Sequence, residues 1–89
     1  MPSYIILNQN YPNPFNPNTK ISYELRFSDN VLLKVYDILG DEIVTLVNRK
    51  QGPGKYQFDF DGSNLSSGIY FYKLESGKLS VSRKMLLLK

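Results

Sequence analysis

The heptapeptide Gly68-Ile69-Tyr70-Phe71-Tyr72-Lys73-Leu74 decides how this chain is read. It follows a turn-forming cluster, Asn64-Leu65-Ser66-Ser67, and five of the six residues after Gly68 are β-branched, aromatic or leucine. Such side chains suit a pleated sheet surface better than a helix. Only Lys73 interrupts the apolar run, so both faces of the strand are predicted to meet other protein, in the middle of a sheet. Each large apolar side chain fully buried there contributes about 1.5–3 kcal/mol, which makes this strand the expected anchor of the core.

Downstream, Ser76-Gly77-Lys78 reads as the hairpin turn into a last strand over residues 79–88. There Leu79, Val81, Met85, Leu86, Leu87 and Leu88 carry the apolar load, and Ser80, Ser82, Arg83 and Lys84 are polar. Upstream, Tyr56, Phe58 and Phe60 alternate with Lys55, Gln57, Asp59 and Asp61 between two turns, Lys50-Gln51-Gly52-Pro53-Gly54 and Asp61-Gly62-Ser63-Asn64. The apolar residues of 42–48 do not alternate cleanly, so a bulge or full burial is expected there. Asp37-Ile38-Leu39-Gly40-Asp41 is a turn in which Gly40 suits a positive φ. Val31, Leu33 and Val35 alternate in one strand, and Ile21, Tyr23, Leu25 and Phe27 form the buried row of another, with Ser28-Asp29-Asn30 between them.

Residues 3–7 are short and apolar, an edge strand or a tether. Asn8-Gln9-Asn10-Tyr11-Pro12-Asn13-Pro14-Phe15-Asn16-Pro17-Asn18 follows, and its three prolines fix φ and push the residues before them toward extended conformations. A stiff, partly polyproline-like arm is expected, with Tyr11 and Phe15 packing against the body. The division is therefore residues 1–18 as linker and arm and 19–89 as the body. No window has helical spacing. Six or seven short strands with regular turns point to an all-β fold, an immunoglobulin-like antiparallel β-sandwich of about seven strands without helices. A small closed barrel is the competing architecture.

Composition narrows the function classes. Eighty-nine residues make one small domain, and 42% hydrophobic with 21% charged residues is ordinary for a globular one. A net charge of +3, with the cations scattered, reads as solvated surface rather than a nucleic-acid footprint. The absence of cysteine and histidine excludes disulfides, thiolate chemistry and zinc sites built on those ligands. No stretch is long enough to span a bilayer, and none has the basic start and longer apolar segment of a secretory leader.

Candidate chemistry is thin. Nucleophilic triads lack their base. Asp59 and Asp61 share one strand face, and Asp37, Asp41 and Glu42 cluster at a turn, but a glycosidase pair needs a deeper cleft than a domain this small provides. Asp59-Phe60-Asp61-Gly62-Ser63-Asn64 departs from a calcium loop, because its glycine comes early and the closing glutamate is missing. An internal Lys–Asn isopeptide bond needs a buried lysine beside an acid, and only Lys34 and Lys73 sit within apolar strands. The chain reads as a domain with no cofactor and no catalytic site.

Four stretches resemble a known family. Gln9-Asn10-Tyr11-Pro12-Asn13-Pro14-Phe15-Asn16-Pro17 with Thr19-Lys20-Ile21-Ser22-Tyr23 is similar to the opening of the type A C-terminal sorting domains of type IX (Por) secretion. Val35-Tyr36-Asp37-Ile38-Leu39-Gly40 with Glu42-Ile43 resembles their second motif, and Leu65-Ser66-Ser67-Gly68-Ile69-Tyr70-Phe71-Tyr72-Lys73-Leu74 the third. Arg83-Lys84-Met85 resembles the last, and the four occur in the family's order. Two positions depart from the pattern: Phe60 stands where many members have tryptophan, and Asn18 where serine often follows the third proline.

The resemblance implies an address label at the C-terminus of exported enzymes, adhesins and surface proteins of Bacteroidetes-like bacteria. The cargo, N-terminal to the domain, enters the periplasm by an ordinary leader. The outer-membrane translocon recognises the domain, and a sortase-like peptidase removes it while attaching the cargo to a surface lipopolysaccharide. Tyr11, Pro12, Pro14, Phe15, Pro17, Arg83, Lys84 and Met85 are the recognition candidates on this reading. Arg83 and Lys84 are expected to meet an acidic surface, and the last strand, at a sheet edge, to bind by strand addition. Gly40, Gly68, Tyr70 and Tyr72 are taken as structural. The second hypothesis is an accessory module gripping glycan or a neighbouring domain, for which a row of exposed aromatics at Tyr4, Tyr11 and Phe15 is the feature to seek.

Overall fold

A computed structural model describes residues 5–89. Ser3 and Tyr4, and with them one aromatic of the expected row, lie outside the described residues. Seven strands follow in order: β1 (Ile5–Leu7), β2 (Asn18–Leu25), β3 (Asp29–Tyr36), β4 (Glu42–Gln51), β5 (Gly54–Asp61), β6 (Gly68–Ser76) and β7 (Leu79–Leu87). They form a three-stranded sheet, β1-β2-β5, and a four-stranded sheet, β4-β3-β6-β7, antiparallel throughout. This is a two-sheet β-sandwich without helices among the described residues, consistent with the immunoglobulin-like type.

Period-two patterning sets which face is inside. In β2, Ile21, Tyr23 and Leu25 are buried and Lys20 is exposed; in β3, Val31, Leu33 and Val35 are buried. Phe27 falls beyond β2 and is 60% exposed, so the buried row ends one step earlier than the alternation suggests. β6 is internal to its sheet, between β3 and β7. Its two faces nevertheless differ from expectation. Tyr70, Tyr72 and Leu74 are buried, whereas Ile69, Phe71 and Lys73 are only half-buried on the outer face. That outer face is sheltered by its own neighbours and not by a second layer.

β4 is the far edge of the larger sheet. Two register shifts against β3 leave Ile43 and Leu46 out of step, and only Val47 and Gln51 are buried along it. Bulges on an edge strand twist it and discourage pairing with other chains. Gly40 adopts φ 89° in the β3–β4 turn, a conformation that a side chain disfavours. There Asp37 closes the loop, its Oδ1 accepting the amides of Leu39 and Asp41, both at 2.9 Å.

Candidate functional site

The site is assembled where the two ends of the chain meet. β7 forms the other edge of the four-stranded sheet, and residues 9–17 run along it. The Phe15 amide donates to the Leu86 carbonyl at 2.9 Å, and the Leu88 amide donates to the Phe15 carbonyl at 3.0 Å. The Leu86 amide donates to Asn13 Oδ1 at 3.0 Å, and Gln9 Nε2 donates to the Lys84 carbonyl at 2.7 Å. Four backbone groups that an edge strand ordinarily leaves bare, the Lys84 carbonyl, both groups of Leu86 and the Leu88 amide, are therefore occupied by the arm.

A polar core fixes the arm's entry. The Tyr72 hydroxyl donates to the Asn8 carbonyl at 2.6 Å and accepts the Asn10 amide at 2.8 Å. Asn10, only 2% exposed, donates through Nδ2 to the Pro12 carbonyl and to Thr19 Oγ1. Tyr11 pairs with Lys20 through both backbone groups, at 3.0 and 2.9 Å. Burial raises the Tyr72 phenol above its ordinary pKa, partly offset by the hydrogen bond from Asn10. No buried side-chain polar atom among the described residues lacks a partner.

The arm differs from a polyproline-like rod. Residues 12–14 and 16–17 form a succession of bends, pinned at Tyr11 and Phe15, and the Tyr11-Pro12, Asn13-Pro14 and Asn16-Pro17 bonds are cis. The arm follows the surface it binds, because its polar side chains and backbone are matched to fixed partners on β2, β6 and β7. Phe15 is a plug. It is 1% exposed, lies edge-on to Phe60 with ring centroids 6.1 Å apart, and packs under Gly62.

The candidate residues thus divide by burial. Tyr11, Pro12 and Pro14 are exposed and Pro17 half-buried, whereas Phe15 and Met85 face the core. Arg83 is exposed, yet its Nε donates to the Leu7 carbonyl at 2.6 Å and ties β7 to β1 across the two sheets. Lys84 is exposed and its ammonium has no ion pair among the described residues. Gly68 opens β6, and Tyr70 is buried with its hydroxyl donating to the Ser66 carbonyl at 2.6 Å. Sequence reasoning passed over Gln9, Asn10, Asn13 and Thr19, although four asparagines within residues 8–16 were the available signal.

The aspartates of two turns are engaged by local backbone amides. Asp61 is used by its own turn, where the Ser63 amide holds its carboxyl below the usual range. No group of three or more acidic side chains suited to a metal occurs among the described residues. Lys34 and Lys73 are not buried, and Lys34 pairs with Glu42 at 3.0 Å. Of the expected aromatic row, Phe15 is inside the core and Tyr11 alone is exposed among the described residues. Among the described residues no helix is long and apolar enough to cross a membrane.

Comparison with known proteins agrees with the geometry. No curated protein matched the chain. A family model described as the secretion system C-terminal sorting domain matches residues 9–88, the stretch that begins with the arm and ends with β7. The chain therefore belongs to the family of type IX secretion system C-terminal sorting domains.

Proposed function

We propose that this chain is the non-catalytic sorting signal of a larger cargo protein, carried at the cargo's C-terminal side. Membership of the sorting-domain family supports a secretion-signal role and export to the cell surface or the extracellular space. The proposal further comprises transit through the periplasm, recognition by the outer-membrane translocon, and removal by a sortase-like peptidase. Residues 1–18 serve as linker and arm, and residues 19–89 as the sandwich body on which the arm packs.

The observation that carries the reading is the joining of residues 9–15 to residues 84–88 in one hydrogen-bonded assembly. Two segments at opposite ends of the chain make one presented edge. Tyr11, Pro12, Pro14 and Lys84 supply its exposed side chains, while Phe15, Pro17, Arg83 and Met85 hold it in place. Docking an edge that is already ordered costs little conformational entropy. The test is to fuse residues 1–89, with β1 kept in the core, to a periplasm-directed reporter in a type IX-competent host. Export is expected, and a folded fusion that stays in the periplasm overturns the reading.

A further inference from the structure

The arm covers only part of β7. Both backbone groups of Leu86 point away from β6, toward Phe15 and Asn13, and the β6–β7 register runs without a shift from Gly68↔Leu87 to Ser76↔Leu79. Alternation by two then places the amides and carbonyls of Ser80 and Ser82 on the same outer edge. Neither residue has a hydrogen-bonding partner there among the described residues. The bare edge stops at Lys84, where Gln9 takes the carbonyl.

Beside this edge, the outer face of β6 and β7 is apolar and cationic from Ile69 to Lys73, with a single acid, Glu75, opposite Ser80. Ile69 and Leu86 lie opposite one another, as do Phe71 and Lys84, and Lys73 lies opposite Ser82. Neither Lys73 nor Lys84 forms an ion pair among the described residues. Where the face meets the arm, Asn13, Pro14, Ile69, Lys84, Met85 and Leu86 line a shallow hollow of about 310 Å³. Unpaired peptide groups in register favour another peptide backbone, and two unpaired lysines favour a negative partner.

We propose that a partner protein adds an extended strand to β7 along residues 79–83, and that this strand carries an acidic side chain paired with Lys84 and Lys73. A carboxylate on the added strand opposite Ser82 would be the diagonal neighbour of Lys84. The arm ends the pairing at Lys84 and so fixes its register. The inference rests on the sorting reading and names the partner's chemistry: an acidic edge segment of the export machinery. A lipid headgroup needs the charge but not the backbone edge, and the experiment separates the two.

The test uses the exported fusion with three variants. Ser82→Pro removes an outward amide and blocks addition at the edge without breaking a bond to β6. Lys84→Glu reverses the charge, and Lys84→Arg keeps it; neither alters a buried group. Export is expected to fall at least tenfold for Ser82→Pro and for Lys84→Glu, with Lys84→Arg near wild type and all melting midpoints within a few degrees. Loss for Lys84→Glu with full export of a folded Ser82→Pro overturns strand addition in favour of a charge-only contact such as a lipid headgroup. Should Ser82→Pro misfold, Ser80→Pro takes its place on the same outer edge, and full export of a folded Ser80→Pro overturns strand addition. Wild-type retention removes the sorting reading and the proposal together, whereas wild-type export with unaffected variants removes the proposal only.

Discussion

Tyr72 accepts the Asn10 amide at 2.8 Å from a phenol that is fully buried between the sheets. This bond, reinforced by the one that Tyr72 gives to the Asn8 carbonyl, is the hinge between the arm and the central strand of the core. Tyr72→Phe keeps the ring and leaves the Asn10 amide and the Asn8 carbonyl short of a partner. Destabilisation of about 1–3 kcal/mol is expected, read as a lowered denaturation midpoint. For a domain of this size that lowers the melting temperature by several degrees or more. An unchanged midpoint would show that the arm is not coupled to the core.

The pH dependence of stability has two limbs. Burial raises the phenols of Tyr72 and Tyr23 above 10.0, against weaker lowering by their hydrogen bonds to Asn10 and Gln51. The folded state thus holds these protons more tightly than the unfolded chain. Their contribution is fully present below pH 10 and is lost as pH rises from there through the raised values. On the acid side, Lys34 lowers the Glu42 carboxyl and the Ser63 amide lowers that of Asp61. The stability they lend is present above the ordinary carboxylate range and disappears as pH falls through the lowered values. Melts across pH 2–12 check both limbs, and Tyr72→Phe should flatten the alkaline one.

Gly62 is a packing glycine. A Cβ there would sit 3.2 Å from Phe15 Cε2, 3.3 Å from Leu87 Cδ2 and 3.3 Å from the Pro17 carbonyl. Two of those atoms belong to buried side chains and the third to backbone, so none yields freely. Gly62→Ala is expected to destabilise by about 1–3 kcal/mol through overpacking. Loosening of the arm should accompany it, seen as faster amide exchange at Phe15 and Leu88, whose hydrogen bonds hold the arm to β7.

Removal of residues 83–89 takes Met85 and Leu87 out of the core, where they are 1% and 0% exposed. Each is worth about 2–5 kcal/mol when cut to alanine, so the truncated chain is expected to unfold. Circular dichroism should register the lost sheet signal. Loss of export on truncation therefore reports folding first, and exposed substitutions such as those at Lys84 are the cleaner probe of recognition.

Much of the fold is legible in the residues, because a sandwich core imposes period two on β2 and β3 and turn residues separate the strands. β6 misleads because aromatic and β-branched side chains also suit a half-covered outer face, so an unbroken apolar run does not by itself require two buried sides. Arg83 reads as a surface charge, although its reach to the Leu7 carbonyl spans a sequence separation that no local pattern records. The arm's proline spacing shows stiffness, but Phe15 as a core plug depends on the distant Gly62 and Leu87. The same limit hides the network of Gln9, Asn10 and Asn13, whose partners lie on β2, β6 and β7.

The sorting role is tested most directly by the location of a reporter fused to residues 1–89, compared in a host with a working type IX translocon and in one without it. Protease accessibility on intact cells is the measurement. The expected result is a reporter exposed at the surface or released in the first host and protected in the periplasm in the second. Protection in both hosts, with the domain folded, would contradict it, and so would equal exposure in both.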